Sequence, residues 1–145
     1  EIIPDPIPNS ITWWWTQDSD GKVTKTAKEL DDEDAKDTGG NLIKDDKGNQ
    51  VINFGVKSSL IDQVKKQQGD FLAQTDWAII RKADKGTAIP SNIQTWRDAV
   101  RTKASAMEDA IKGAADTAAI EALFLTWDEE GNKSGILYDW PELEV

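Results

Sequence analysis

The clearest alternation of hydrophobic and polar positions lies in the second half of the chain. Apolar residues recur at intervals of three and four between positions 93 and 111, and polar residues fill the opposite face. This spacing predicts an amphipathic helix that starts after Pro90, near Ser91, and ends at Gly113. Its apolar stripe consists of Ile93, Trp96, Val100, Ala104, Met107 and Ile111.

A second helical pattern precedes this one. Apolar positions between 61 and 72 share one face of a helix, and Ser58 or Ser59 is placed to cap its start. Thr75 and Asp76 are poor helix formers, so we expect the helix to end there. The short apolar run that follows is expected to fold back against the helix.

The first half of the chain carries patterns typical of β-strands. Aromatic and β-branched residues at 11–16 predict a strand in which Trp13 and Trp15 share one face and Trp14 takes the other. A turn at 18–21 would return the chain as a second strand. Because both faces of the first strand are apolar, one of them is a candidate docking surface.

Two further hairpins are predicted. Residues 41–44 and 50–54 flank a turn rich in Asp, Gly and Asn. Residues 124–127 and 135–140 flank another, and a short third helix is expected just before it. The acidic segment 30–40 should be a solvated loop or a short helix end, because like charges resist burial.

The first ten residues read as an extended arm. Prolines at positions 4, 6 and 8 remove backbone donors and favour polyproline geometry, and ordinary terminal disorder is the alternative. Apolar residues between the prolines give an arm something to bury, on this chain or on another. They are Ile2, Ile3 and Ile7.

These elements together predict an α+β protein. An extended arm and β-hairpins come first, and a helical hairpin of two or three helices, closed by a C-terminal β-hairpin, follows. We expect a Pro-rich arm with a β-rich region over 1–57 and a helical domain with the final hairpin over 58–145. The length of 145 residues is enough to build a hydrophobic core.

Charge and composition narrow the chemistry. The net charge of −10 opposes binding to nucleic acid or to an anionic membrane and favours a basic partner. No apolar run is long enough to span a bilayer. With no cysteine and no histidine, thiol catalysis, disulfides, the commonest general base and the commonest transition-metal ligand are missing. We therefore expect no enzymatic activity, no cofactor and no metal ion.

A Thr-Asp-Trp motif at 75–77 lies between the two long helical patterns. With the helices around it, the motif resembles the helix–TDW–loop–helix signature of bacteriophage tail-fibre assembly proteins, a group of small chaperone-like phage tail proteins. The resemblance covers residues 58–111 only. The matching positions are Leu72, Ala73, Thr75, Asp76, Trp77, Pro90, Trp96, Arg97 and Arg101.

The resemblance implies binding without chemistry. The helical hairpin would bind a tail-fibre or other tail polypeptide in the host cytoplasm, as an assembly chaperone or adaptor within a hetero- or homo-oligomer. An alternative is a structural virion component that stays in the tail and attaches through its N-terminal arm. A glycan-binding module that uses exposed tryptophans is a weaker alternative. The candidate partner-binding residues are Ile3, Ile7, Trp13, Trp14 and Trp15.

The motif residues also have expected structural roles. An acid and a base occupy matching positions in the family pattern, so Asp76 is expected to pair with Arg97 and Arg101, with a solvated helix face as the alternative. Trp77 and Trp96 are expected to pack together where the helices meet, because Trp96 lies in the apolar stripe. Binding of a client chain is the alternative for this pair.

Overall fold

The computed structural model describes residues 3–144, so the predicted arm residue Ile2 lies outside the described part of the chain. The α+β class is confirmed: three two-stranded antiparallel sheets accompany the helices within residues 3–144. No helix in this range is long and apolar enough to cross a membrane. The elements are β1 (Trp13–Gln17), β2 (Val23–Ala27), β3 (Glu33–Asp34), β4 (Ile52–Asn53), α1 (Val56–Ala73), α2 (Asp76–Lys85), α3 (Ser91–Gly113), α4 (Thr117–Glu121), β5 (Thr126–Trp127) and β6 (Lys133–Ser134).

The chain divides into two compact units. The first comprises Glu1–Ser59 with Ala114–Glu121, and the second comprises Leu60–Gly113 with Ala122–Val145. The expected boundary after residue 57 lies two residues before the division, inside the first turn of α1. Helix α4 belongs to the first unit, although sequence reasoning grouped it with the long helices.

The first hairpin forms as predicted. Strands β1 and β2 pair antiparallel, with Gln17 opposite Val23 next to the turn. Trp13 and Trp15 are half-buried, whereas Trp14 is exposed. This alternation is the one expected of a strand whose successive side chains point to opposite faces.

One turn geometry closes this hairpin and recurs three more times between residues 3 and 144. In each copy an aspartate oxygen accepts the backbone N–H groups of the second and fourth residues after it. A glycine three residues after the aspartate adopts a φ of 82° or 83°, the left-handed conformation that a type I turn with a bulge requires. The four aspartates are Asp18, Asp37, Asp45 and Asp128.

The acidic segment 30–40 is irregular and exposed over most of its length, as predicted for a solvated loop, but it is not irregular throughout. It contains β3, in which Glu33 lies opposite Asn53 and Asp34 opposite Ile52. The strand can form because both acidic side chains stay exposed, and the apolar Ala35 that follows is buried. Repulsion between the charges is therefore screened by water and does not prevent backbone pairing.

A closed cycle of backbone hydrogen bonds replaces the predicted hairpin between 41–44 and 50–54. The N–H of Ala35 donates to Val51 at 2.9 Å, that of Val51 to Ile43 at 3.0 Å, and that of Ile43 to Ala35 at 2.9 Å. The three residues are spaced eight apart along the chain. The aspartate turn of Asp37 lies between the first and the second, and that of Asp45 lies between the second and the third. The predicted partner strands accordingly share an isolated bridge, between Lys44 and Gln50.

Helix α1 begins at Val56, and its first N–H groups are satisfied by a distant segment of the first unit. The N–H of Gly55 donates to the Asp32 carboxylate at 2.8 Å, and that of Val56 donates to the carbonyl of Glu29 at 2.9 Å. The Ser58 hydroxyl also donates to Asp32, at 2.8 Å. The predicted serine cap is therefore wrong, because the segment before β3 already occupies the helix end.

The second unit is built on α3. All six residues of the predicted apolar stripe are buried, which confirms the helix and its inner face. Helix α2 starts directly after Thr75, so the apolar run after the motif is the first part of a ten-residue helix. Gly86 ends α2 in the left-handed conformation, with φ 69°, and its N–H donates to Lys82.

The last hairpin is shorter than predicted. Strand β6 ends at Ser134, because Gly135 has a φ of 99° and a side chain there would overlap the carbonyl of Phe124. The N–H groups of Ile136 and Leu137 both donate to the carbonyl of Leu123, at 3.0 and 2.9 Å. The expected strand at 135–140 is thus wrong, and residues 136–144, here called the C-terminal segment, run without regular structure.

Candidate functional site

The Thr-Asp-Trp motif surrounds a buried arginine. Arg97 of α3 is only 6% exposed, and its Nη1 donates to the Leu72 carbonyl at 2.8 Å, the Thr75 hydroxyl at 2.8 Å and the Asp76 carboxylate at 3.0 Å. We call these four residues the Arg97 junction. One guanidinium therefore ties α3 to the end of α1 and the start of α2 in the same unit.

The backbone conformation of the turn between α1 and α2 makes this arrangement possible. The N–H and hydroxyl of Thr75 donate to Leu72 at 3.1 and 3.3 Å, which turns the backbone at the end of α1. Asp76 then opens α2, where a carboxylate interacts favourably with the helix dipole. The Thr75 side chain does not cap the start of α2. Its hydroxyl instead accepts the hydrogen bond from Arg97.

Only one of the two motif arginines belongs to this junction. Arg101 pairs with Asp98 of its own helix at 3.1 Å, and both side chains are substantially exposed. The expected pairing of Asp76 with Arg97 is present, whereas the expected pairing with Arg101 is wrong. Arg101 lies one turn further along α3, and its local, solvated partner makes it a surface ion pair of about 0–1 kcal/mol.

The two motif tryptophans occupy different environments. Trp96 is 5% exposed, and its Nε1 donates to the carbonyl of Pro141 at 2.8 Å. Trp77 is 50% exposed, and the Arg81 guanidinium lies 5.0 Å from its ring centre. Trp96 is thus a core residue of the second unit, whereas Trp77 presents much of its ring to solvent. Leu72 and Pro90 are half-buried.

The N-terminal arm is held against the turn of the first hairpin. The N–H of Asp5 donates to the carbonyl of Gly21 at 3.1 Å, and the Asp5 carboxylate accepts the N–H of Val23 at 3.1 Å. Ile3 and Ile7 remain 86% and 65% exposed. One backbone hydrogen bond and one acid therefore hold the described part of the arm at Asp5, while the side chains of Ile3 and Ile7 are available to another surface.

The three consecutive tryptophans are not equivalent. The Trp13 indole N–H donates to the carboxylate of Glu121, which also accepts the hydroxyl of the fully buried Thr12 at 3.1 Å. Trp14 lies on the other face, exposed, with the Lys28 ammonium 4.3 Å from its ring centre. Trp13 is thus engaged within the first unit, and Trp14 is the member of the set that is open to a partner.

Glu121 and Asp5 were missed by sequence reasoning. Glu121 is 108 positions from Trp13, and nothing in its local sequence distinguishes it from the acids of the later turn at 128–130. Asp5 stands between prolines, in a segment whose pattern is dominated by apolar residues. A single acid inside an otherwise uncharged stretch, as at position 5, was the one available signal.

The acids of the described part of the chain differ in their spacing and in their hydrogen bonds. No group of three or more Asp or Glu residues within 3–144 is placed to hold a metal ion. Hydrogen bonds inside the aspartate turns lower the pKa of Asp37, Asp45 and Asp128, which favours the ionised form. General acid catalysis needs the opposite shift, so these carboxylates serve the turns.

Comparison with known proteins returned no relative: the chain matches no protein-family model, no curated protein and no solved structure.

Proposed function

We propose that this chain is a non-enzymatic bacteriophage tail protein that binds a tail-fibre or other tail polypeptide, as an assembly chaperone or adaptor. The observation that carries the proposal is the Arg97 junction, in which Thr75, Asp76 and Arg97 of the resembling motif contact one another. In this proposal the helical hairpin, with the C-terminal hairpin that closes it, is the binding module.

Exposed apolar side chains on α2 supply a surface for the client. Trp77 and Ile80 are spaced three apart, so they share one side of the helix, and both are exposed. A surface of this kind can cover apolar area on a fibre chain that would otherwise aggregate before it trimerises. The Arg97 junction holds α2 in position and leaves these side chains free.

Co-purification with a tail-fibre polypeptide of the same phage tests the proposal. The double variant Trp77→Ser/Ile80→Ser should reduce capture of the co-expressed fibre at least tenfold. The matched control is Leu42→Ser/Phe54→Ser, which removes two similarly exposed apolar side chains from the first unit. The proposal fails if the fibre co-purifies equally with the wild type and both double variants.

The exposed arm favours a second candidate, a structural component that remains in the virion tail. Ile3, Ile7 and Trp14 offer apolar surface on the first unit, where an extended arm can lie along a neighbouring chain. Mass spectrometry of purified particles separates the two candidates, because a chaperone is absent and a component has a fixed copy number. Replacing the three residues by serine should then reduce incorporation without unfolding the helical unit.

A further inference from the structure

A cavity of about 220 Å³ opens on the surface of the second unit. Three of its lining residues, Gln67, Asp70 and Phe71, belong to α1, at a spacing that places them on one face of the helix. Gln74, in the turn that follows α1, and Trp140 of the C-terminal segment complete the lining.

Two aromatic rings form a wall of this cavity. The ring centres of Phe71 and Trp140 are 5.1 Å apart, with their planes inclined by 37°. The C-terminal segment that carries Trp140 is held by two hydrogen bonds on the C-terminal side of this residue. Pro141 accepts the Trp96 indole at 2.8 Å, and Glu144 accepts the Asn92 amide at 2.9 Å. The wall is therefore formed before any ligand arrives, which lowers the entropic cost of binding.

The polar residues of the cavity have no partners of their own. Within residues 3–144 the side chains of Gln67, Asp70 and Gln74 make no hydrogen bond or ion pair, and all three are exposed. One carboxylate and two amide groups are thus available beside the aromatic wall. The carboxylates of Asp32 and Asp76, by contrast, already accept hydrogen bonds within the protein.

We propose that this cavity binds a basic side chain, arginine in the first place, of a partner polypeptide. A guanidinium stacks on an aromatic ring, donates in a charge-assisted bond to a carboxylate, and has further N–H groups for the amide oxygens. The cavity is smaller than a typical drug-sized site, which suits one side chain better than a larger ligand. The net charge of −10 also attracts basic segments.

A neutral sugar would use the same aromatic wall and the amides, but it would not depend on the charge of Asp70. Dependence of binding on the negative charge of Asp70 therefore distinguishes a basic side chain from a neutral sugar. The partner need not be a phage protein, because binding of a basic side chain depends only on the chemistry of the cavity.

Titration of the full ¹⁵N-labelled chain with the peptide acetyl-Gly-Arg-Gly-amide tests the proposal by NMR. The Trp140 indole signal and the side-chain amide signals of Gln67 and Gln74 should shift, and acetyl-Gly-Gln-Gly-amide should leave them in place. Asp70→Asn should weaken arginine binding by about fivefold, as expected for a solvated ion pair. Asp62→Asn removes the same charge from an exposed site on α1 and should leave the affinity within about twofold.

Three results would overturn the proposal. They are the absence of shifts with the arginine peptide, equal affinities for Asp70→Asn and Asp62→Asn, and wild-type binding that does not weaken as salt is raised. The salt series uses the unmodified chain, so it decides the question even if a variant folds poorly. Shifts caused by methyl glucoside that are unchanged in Asp70→Asn would identify a sugar site instead. None of these results bears on fibre capture, which tests the proposed function separately.

Discussion

The guanidinium of Arg97 donates to the hydroxyl of Thr75 across 2.8 Å, although the residues are 22 positions apart in the chain. Both side chains are almost completely buried, so water has little access to either group. Because a buried donor or acceptor without a partner costs free energy, each residue requires the other. This contact fixes the end of α1 and holds α3 against the turn between α1 and α2.

Replacing Arg97 by methionine should therefore lower the free energy of unfolding by about 2–4 kcal/mol, since the Leu72 carbonyl and the Thr75 hydroxyl lose a donor. Urea denaturation followed by far-UV circular dichroism measures the change. Arg101→Met is the matched control, because it removes an exposed ion pair on the same helix and should stay within about 0.5 kcal/mol. Equal losses in the two variants would contradict the role of the junction.

The helical half of the fold could be predicted because its signals are local. The stripe from Ile93 to Ile111 repeats at helical spacing over five turns, and the structure buries all of it. The end of α1 two residues before Thr75 followed from the weak helix propensity of Thr75. The motif singled out Arg97, but it did not predict that Arg97 is buried. The three groups that accept its hydrogen bonds come from another part of the chain, at the end of α1 and the start of α2.

The β-rich half was predicted less well because its contacts are distant. The cycle of Ala35, Ile43 and Val51 is held by backbone groups, so their side chains gave no signal of it. The cap of α1 by Asp32 depends on a segment 23 residues earlier in the chain. A local capping residue was available in Ser58, and only the tertiary contact determined that it is not used for this purpose.

Gly55 marks the place where the segment before β3 meets the start of α1. A Cβ atom at this position would lie 2.5 Å from the carbonyl carbon of Asp31 and would also overlap Leu30, both of them backbone groups that cannot rotate away. Gly55→Ala should therefore destabilise the protein by about 2–4 kcal/mol or prevent folding. Differential scanning calorimetry gives the melting temperature of each variant.

The control for this substitution is Gly69→Ala. Gly69 lies inside α1 with open space where a Cβ would be, so alanine should stabilise the helix by about 0.5–1 kcal/mol. The two substitutions are chemically identical and should shift the melting temperature in opposite directions. A rise with Gly55→Ala would show that the two backbones are not in close contact.

The aspartate turns predict a dependence on acid pH. The backbone N–H of Asn41 is the largest cause of the lowered pKa of Asp37, and the backbone N–H of Asn49 has the same effect on the pKa of Asp45. For Asp128 the side-chain amide of Asn132 is the largest cause of the lowered pKa, followed by the backbone N–H of the same residue. A carboxyl group with a lowered folded pKa stabilises the fold above its unfolded value of 3.8. That contribution is lost as the pH falls through the lower, folded pKa.

NMR titration of the glycine amides in these turns measures the folded pKa of the aspartates. The signals of Gly40 and Gly48 should titrate with midpoints below 3.8, the ordinary value for the aspartates. Asp45→Asn should abolish the titration at Gly48 and leave Gly40 unaffected. Midpoints at or above the ordinary value would mean that the hydrogen bonds do not favour the ionised form.

Glu121 joins α4 to the tryptophan strand of the first unit. Glu121→Ala removes the acceptor of the Trp13 indole, whereas the Thr12 hydroxyl keeps a longer contact of 3.4 Å with the carbonyl of Asn9. The half-buried indole N–H is left without its partner, so the free energy of unfolding should fall by about 1–3 kcal/mol. Tryptophan fluorescence should also shift to the red as water reaches the ring. Glu129→Ala, in an exposed turn, should change neither quantity, with stability within about 0.5 kcal/mol. If the two variants unfold at the same urea concentration, the contact with Glu121 does not hold β1 in place.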